Sequence, residues 1–165
     1  MFAVASLQSV HATFIQTGDI SAIYFFTLAL GWRTGSLLAP LRRKNNIILD
    51  DMGTCENACV FGVLYDINGY PGLVLNGSRK ITGELYSLPE NFSFEKIDFY
   101  EGFYPDKTHK SEFIRVKTEI FNIVQGYPAN AICRAWVYLY NQKPDGLEEI
   151  HSGDYMNFIY SRGKY

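Results

Sequence analysis

Apolar residues in this chain fall mostly in short runs and alternations of strand length, broken by glycine, proline and asparagine pairs. Ala22 to Leu30 (AIYFFTLAL) is aromatic or apolar almost throughout, the pattern of a buried strand, and Gly31 closes it. Trp32 to Leu38 follows as a turn with small polar residues, and Pro40 to Asp51 reads as loop. Val60 to Asp66 (VFGVLYD) predicts a strand, and Asn68-Gly69 a turn after it. Tyr70-Pro71-Gly72 reads as a tight turn before Leu73-Val74-Leu75. Asn76-Gly77 reads as a second turn, with Ile81 to Leu88 (ITGELYSL) as the returning hairpin strand. Pro89 introduces a helix up to Glu101. Phe113 to Val124 alternates apolar residues with Arg115, Lys117 and Glu119, a half-exposed strand. Gly126-Tyr127-Pro128 turns the chain, and Ile132 to Tyr140 (ICRAWVYLY) is the last strong strand. The tail carries Ser152-Gly153-Asp154-Tyr155.

The sum is five or six strands joined by tight turns, with one short helix. That is an α+β arrangement in which a curled sheet or small barrel buries the Tyr and Phe side chains. Neither repeat nor linker divides the chain, so residues 1–165 read as one domain. Residues 1–19 are weakly patterned, and 1–21 read as an extra strand or an atypical N-terminal extension.

Glu101 stands out against this pattern. In the helix before it, Phe94, Ile97 and Tyr100 form the expected buried stripe, and Glu101, four after Ile97, falls on or beside it. It also ends the helix, just before Gly102, a residue suited to a left-handed cap. A carboxylate there faces the negative end of the helix dipole, at a cost of roughly 0.3–1 kcal/mol when exposed. Two readings stand: an acid turned inward for a function, or an exposed Glu on a frayed last turn.

Composition narrows the options. With 47% hydrophobic and 19% charged residues the balance is that of an ordinary globular chain, and 16% aromatics favours β structure. A net charge of -2 offers no pull toward nucleic acid or an anionic membrane. Arg42-Arg43-Lys44 is the single basic run and reads as a solvated loop. Cys55, Cys59 and Cys133 are odd in number, and His11, His109 and His151 show no ligand spacing, so no zinc site is expected. Structural thiols in a reduced compartment are the reading of the cysteines. The first basic residue is Arg33, which does not suit a signal peptide. The run from Ile20 to Leu30 is too short to span a bilayer. A cytoplasmic protein, monomeric or weakly dimeric, is the expectation.

Several short motifs in order resemble the gamma-glutamylcyclotransferase-like superfamily, in its avirulence-induced-gene-like branch, over about residues 32–156. They are Gly62-Val63-Leu64-Tyr65-Asp66 with Gly69-Tyr70-Pro71-Gly72-Leu73-Val74, and Thr82-Gly83-Glu84-Leu85-Tyr86. Ile97-Asp98-Phe99-Tyr100-Glu101-Gly102 with Phe113-Ile114-Arg115 follows. Ala135-Trp136-Val137-Tyr138-Leu139-Tyr140-Asn141 and Ser152-Gly153-Asp154-Tyr155 complete the set. The resemblance implies a compact mixed β-barrel of about six strands with one or two short peripheral helices. It also implies a reaction on γ-glutamyl amines or peptides: the α-amine of the glutamyl group attacks its own γ-amide carbonyl, releasing 5-oxoproline and an amine. No metal or nucleotide cofactor belongs to that scheme. The partner it implies is a small molecule carrying a γ-glutamyl group.

The family's catalytic carboxylate matches Glu101. The chemistry needs a group that takes a proton from an α-ammonium and returns one to the leaving amine, and a carboxyl with a pKa raised by burial does both. The family's substrate loop, Tyr-Gly-Ser/Thr-Leu after the first strand, is matched by Thr34-Gly35-Ser36-Leu37, with Thr34 where Tyr belongs. A second alignment takes Tyr24 to Thr27 as that strand and Leu28-Ala29-Leu30 as an altered loop. Backbone N–H groups of such a loop suit an oxyanion or the substrate α-carboxylate. Arg115 is a candidate partner for a substrate carboxylate, or a strand Arg beside Glu112. Tyr155 is a candidate for closing the pocket, or a core aromatic. The competing class is a family member that binds a small molecule or a protein without catalysis. Covalent chemistry at Cys55 or Cys59 is a weak third, since neither has an evident base beside it.

Overall fold

The computed structural model describes residues 23–27, 55–122, 131 and 133–163, of which 23–27, 55 and 56 are described by their backbone alone. Six strands carry the fold: β1 (Ile23–Thr27), β2 (Cys55–Asp66), β3 (Pro71–Leu88), β4 (Phe113–Asn122), β5 (Cys133–Tyr140) and the two-residue β6 (Glu148–Glu149). Two short helices, α1 (Glu95–Tyr100) and α2 (Tyr155–Ser161), and a kinked 3-10 segment over Pro105–Lys110 complete it.

The strands form one mixed sheet in the order β3-β1-β5-β4-β2-β6, and β2 also pairs with β3. All pairings are antiparallel except β1 with β5. Two joins are narrow. β1 meets β5 at the single pair Phe25↔Trp136, and β2 meets β4 at Ala58↔Asn122 and Cys59↔Phe121. The architecture of the described residues is therefore a curled α+β sheet.

The Asn68-Gly69 turn forms as its sequence predicts, with φ of +52° and +110°, and joins β2 to β3. Asn76-Gly77, by contrast, is no hairpin turn. β3 runs for 18 residues through it, because the segments on either side both pair with β2. Gly62 pairs with Arg79 and Val63 with Val74, so residues 75–78 bulge out of register. The close approach explains the glycines: a Cβ on Gly77 would stand 2.7 Å from the Gly62 carbonyl oxygen. Pro71, expected in a turn, is the first residue of β3. Of the expected strand Ala22 to Leu30, Ile23–Thr27 is a strand; Ala22 and residues 28–30 lie outside the described residues, as do Ile132 and residues 123–130.

Burial divides the interior into two clusters. The larger gathers Leu64, Leu73, Ile81, Ile120, Val137, Ile150, Tyr155 and Ile159 with their neighbours. The smaller packs Ile67, Tyr86, Leu88, Ile97, Phe113 and Tyr138 against half-buried Phe92, Phe94, Phe103 and Trp136. α2 closes the larger one. Its N-cap Asp154 accepts from the Asn157 backbone N–H at 3.0 Å, and Tyr155 and Ile159, four apart, point inward. α1 closes the smaller one and carries Glu101 at its C-terminal end.

Candidate active site

α1 ends in a built cap. The Gly102 N–H donates to the Phe99 carbonyl at 3.3 Å and the Phe103 N–H to the Asp98 carbonyl at 2.8 Å, with Gly102 at φ +63°. This is the paired arrangement of a Schellman motif, and it fixes Glu101 as the last residue of the turn rather than leaving it frayed. The buried face of α1 is Ile97 with Asp98, not Ile97 with Tyr100. Tyr100 and Phe99 are exposed, because Asp98 finds polar partners inside and rotates the helix toward them. Glu101 lies four residues after Ile97 and three after Asp98, on that same inward face, and is half-buried.

Burial pushes the Glu101 carboxyl up from its ordinary 4.5 to about 7, and the negative charge of Glu112 adds to the rise. Below it lies a buried polar cluster. The Tyr138 hydroxyl of β5 donates to Asp98 Oδ1 at 2.6 Å, and Arg115 Nε of β4 stands 3.4 Å from the same oxygen. The Arg115 guanidinium lies over two adjoining aromatic rings, 4.0 Å from the Phe94 ring centre and 5.1 Å from that of Trp136. Burial holds the Tyr138 hydroxyl far above its usual range, with the Asp98 hydrogen bond and charge next in size, so it remains a donor.

The loop from Gly102 to Glu112 is tied at both ends. The Glu112 N–H donates to the Gly102 carbonyl at 3.2 Å, and the Tyr104 N–H donates to Ser111 Oγ at 2.8 Å. Asn141 clamps it from β5's end, its Nδ2 donating to the Thr108 and Ser111 carbonyls at 2.8 and 2.9 Å. Glu112 in turn accepts a hydrogen bond from the Tyr70 hydroxyl at the tip of the β2–β3 hairpin. Burial pushes that hydroxyl up to about 12, with the Glu112 hydrogen bond as the second cause.

The structure brings Glu101 and Arg115 to one region but gives Arg115 a different neighbour from the expected Glu112: it pairs with Asp98, while Glu112 pairs with Tyr70. Tyr155 is 1% exposed in the larger core cluster, whereas Glu101 caps the helix that closes the smaller one. Thr34, Gly35, Ser36 and Leu37 lie outside the described residues. β1, which the second alignment takes as the strand before the substrate loop, lies between β3 and β5. Asp98, Tyr138, Tyr70 and Glu112 were not singled out from sequence. The Asp98-x-x-Glu101 spacing, which puts both acids on one helix face, was the available signal for the first.

Cys59 is a free, buried thiol. Burial raises the Cys59 pKa, with Lys80 opposing it more weakly, which disfavours a thiolate nucleophile there. Among the described residues no three His, Cys, Asp or Glu side chains come together as metal ligands, and no helix is long and apolar enough to cross a membrane.

Comparison with known proteins bears on the fold and the family. The solution structure of protein ytfP from Escherichia coli superposes with a TM-score of 0.54 at 21% identity, covering 82% of this chain and 98% of that one. The crystal structure of the uncharacterised protein PH0828 from Pyrococcus horikoshii gives 0.53 at 16% identity, covering 87% and 98%. At these identities the likeness is one of fold. No curated protein matches the sequence. A family model described as gamma-glutamyl cyclotransferase, AIG2-like, matches residues 35–157, beginning at Gly35 of the Thr34–Leu37 segment. With about three quarters of its length matched, the chain belongs to the AIG2-like gamma-glutamyl cyclotransferase family.

Proposed function

We propose that this protein is a γ-glutamylcyclotransferase that releases 5-oxoproline and a free amine from γ-glutamyl amines or peptides, with Glu101 as general acid and base. The observation that carries this reading is a half-buried carboxyl, capped at the end of α1, whose pKa is raised to about 7. Raising a Glu carboxyl from its ordinary 4.5 to about 7 removes about 3 kcal/mol from the uphill transfer of a proton out of an α-ammonium. Glu101 in its carboxylate form takes that proton. The freed amine attacks the γ-carbonyl carbon, closing the five-membered ring. Glu101 then returns the proton to the departing nitrogen as its bond to carbon breaks, and the surplus proton of the ring nitrogen passes by way of the Glu101 carboxylate to the released amine, which leaves as its ammonium form. Backbone N–H groups of Gly35, Ser36 and Leu37 are the proposed donors to the oxyanion. In this reading Arg115 and Asp98 hold the inward face of α1, and Tyr155 packs the core.

A second reading, a family member that binds without turning over, is favoured by one observation: Thr34 stands where the family loop carries Tyr. The test is 5-oxoproline release from a panel of γ-glutamyl amines and peptides, with Glu101→Gln as control. Release that the substitution abolishes supports the enzyme. Release that survives it removes Glu101 from the proposed role, and binding without release supports the second reading.

A further inference from the structure

Glu112 is exposed, yet it is held at three points. Its N–H is bonded to the carbonyl of Gly102, the residue beside Glu101, and its own carbonyl accepts from the Asn141 N–H at 2.9 Å. Its carboxylate accepts from the Tyr70 hydroxyl, which arrives from a different part of the chain, the turn between β2 and β3. Tyr70 is itself seated by ring contacts, its centre 6.3 Å from that of Phe113, which packs 5.8 Å from Tyr140. Gly102 brings the two segments together: a Cβ there would stand 3.7 Å from Glu112 Cβ. An exposed carboxylate free to rotate would turn into water, where its charge is screened. This one is prevented from doing so.

We propose that Tyr70 and Glu112 are positioning residues for Glu101: the tyrosine fixes the Glu112 carboxylate beside the capped end of α1, where its negative charge acts on Glu101. The proposal rests on the role of Glu101 given above. Among the described residues, the groups that act on Glu101 or respond to it are Glu112 from the loop before β4, Tyr138 from β5 and Tyr100 from α1 itself. Asp98 and Arg115 form a neutralising pair beneath them. Glu112 is the one of these whose charge raises Glu101 beyond the effect of burial. Tyr70 remains a donor through the whole working range, so the pin does not release as pH changes.

The experiment is a titration of the Glu101 side-chain carboxyl by carbon NMR in the intact protein, assigned with Glu101→Gln, alongside the pH dependence of 5-oxoproline release. Glu112→Gln is expected to lower the Glu101 midpoint by about 0.5–1 pH unit, and Tyr70→Phe to lower it by less. The double variant should match Glu112→Gln alone, because Tyr70 acts through Glu112. The acid limb of kcat/KM should move with the midpoint. A midpoint unchanged in Glu112→Gln overturns the proposal, as does a Tyr70→Phe effect that persists in full without Glu112. The NMR midpoint is read without turnover. A midpoint that moves in a protein releasing no 5-oxoproline therefore overturns the enzymatic reading and leaves the positioning intact.

Discussion

The Tyr138 hydroxyl donates to Asp98 Oδ1 at 2.6 Å, joining the middle of β5 to the inward face of α1 beneath Glu101. A six-residue helix has little stability of its own, so its orientation is set by what its inner face touches. Asp98 is 8% exposed and shared by Tyr138 and Arg115. Replacing it with alanine leaves a half-buried guanidinium and a buried hydroxyl without that acceptor, at a cost of about 3 kcal/mol. Asp98→Ala is therefore expected to lower Tm by about 6–12 °C and to reduce kcat more than it raises KM. Tyr138→Phe, which removes one donor and leaves the Arg115 pair, should cost about 1 kcal/mol by denaturant titration.

Glu101 makes folding pH-dependent. Its folded pKa, about 7, lies above the value near 4.5 that it has when exposed, so the folded state binds the proton more tightly. Below pH 4.5 both states are protonated and nothing is lost. Stability falls as pH rises from 4.5 to 7, by a total on the order of 1–3 kcal/mol, and the loss is complete above 7. Glu101→Gln, a neutral isostere, should raise Tm at pH 8 and leave it nearly unchanged at pH 4. Equal Tm values at pH 8 would mean that Glu101 carries no desolvation penalty.

The Ser152-Gly153-Asp154-Tyr155 motif is expected to act on stability. The Gly153 carbonyl accepts from the Thr82 N–H at 2.8 Å, and a Cβ on Gly153 would lie 2.1 Å from the Lys80 carbonyl oxygen. With φ at +67°, alanine here is strained as well as crowded. Gly153→Ala should cost about 2–4 kcal/mol by denaturant unfolding, with 5-oxoproline release per folded molecule unchanged.

The substrate loop offers a gain-of-function test. If Thr34 occupies the place of the family tyrosine, Thr34→Tyr should raise kcat/KM for γ-glutamyl substrates by about tenfold, the equivalent of one good contact made in the transition state. A decrease would place the loop at the second alignment, around Leu28 to Leu30.

Local chemistry made part of this protein legible in its sequence. Asn68-Gly69 forms its turn because two successive left-handed residues permit little else. Gly102 caps α1 because glycine takes the left-handed φ of +63° at no steric cost, and spacing four from Ile97 put Glu101 on or beside the inward face. α2 is not among the elements the alternation predicts, although Asp154 caps it and Tyr155 and Ile159 are buried. The bulge at Asn76-Gly77 was illegible, since a turn dipeptide and a bulge share the same residues and only the partner strand distinguishes them.

What sequence alone determined is the α+β class, the family motifs in order and the place of Glu101 at the end of α1, because these depend on periodicity and on neighbours within one helical turn. Tertiary structure decided the environment that gives the acid its pKa. Tyr70 and Glu112 are separated by 42 positions and Asp98 and Tyr138 by 40. Hydrogen bonds across such distances follow from how β2, β3, β4 and β5 curl together around α1. Charge and burial act through space, and the chain's order does not record which distant residues that space will hold.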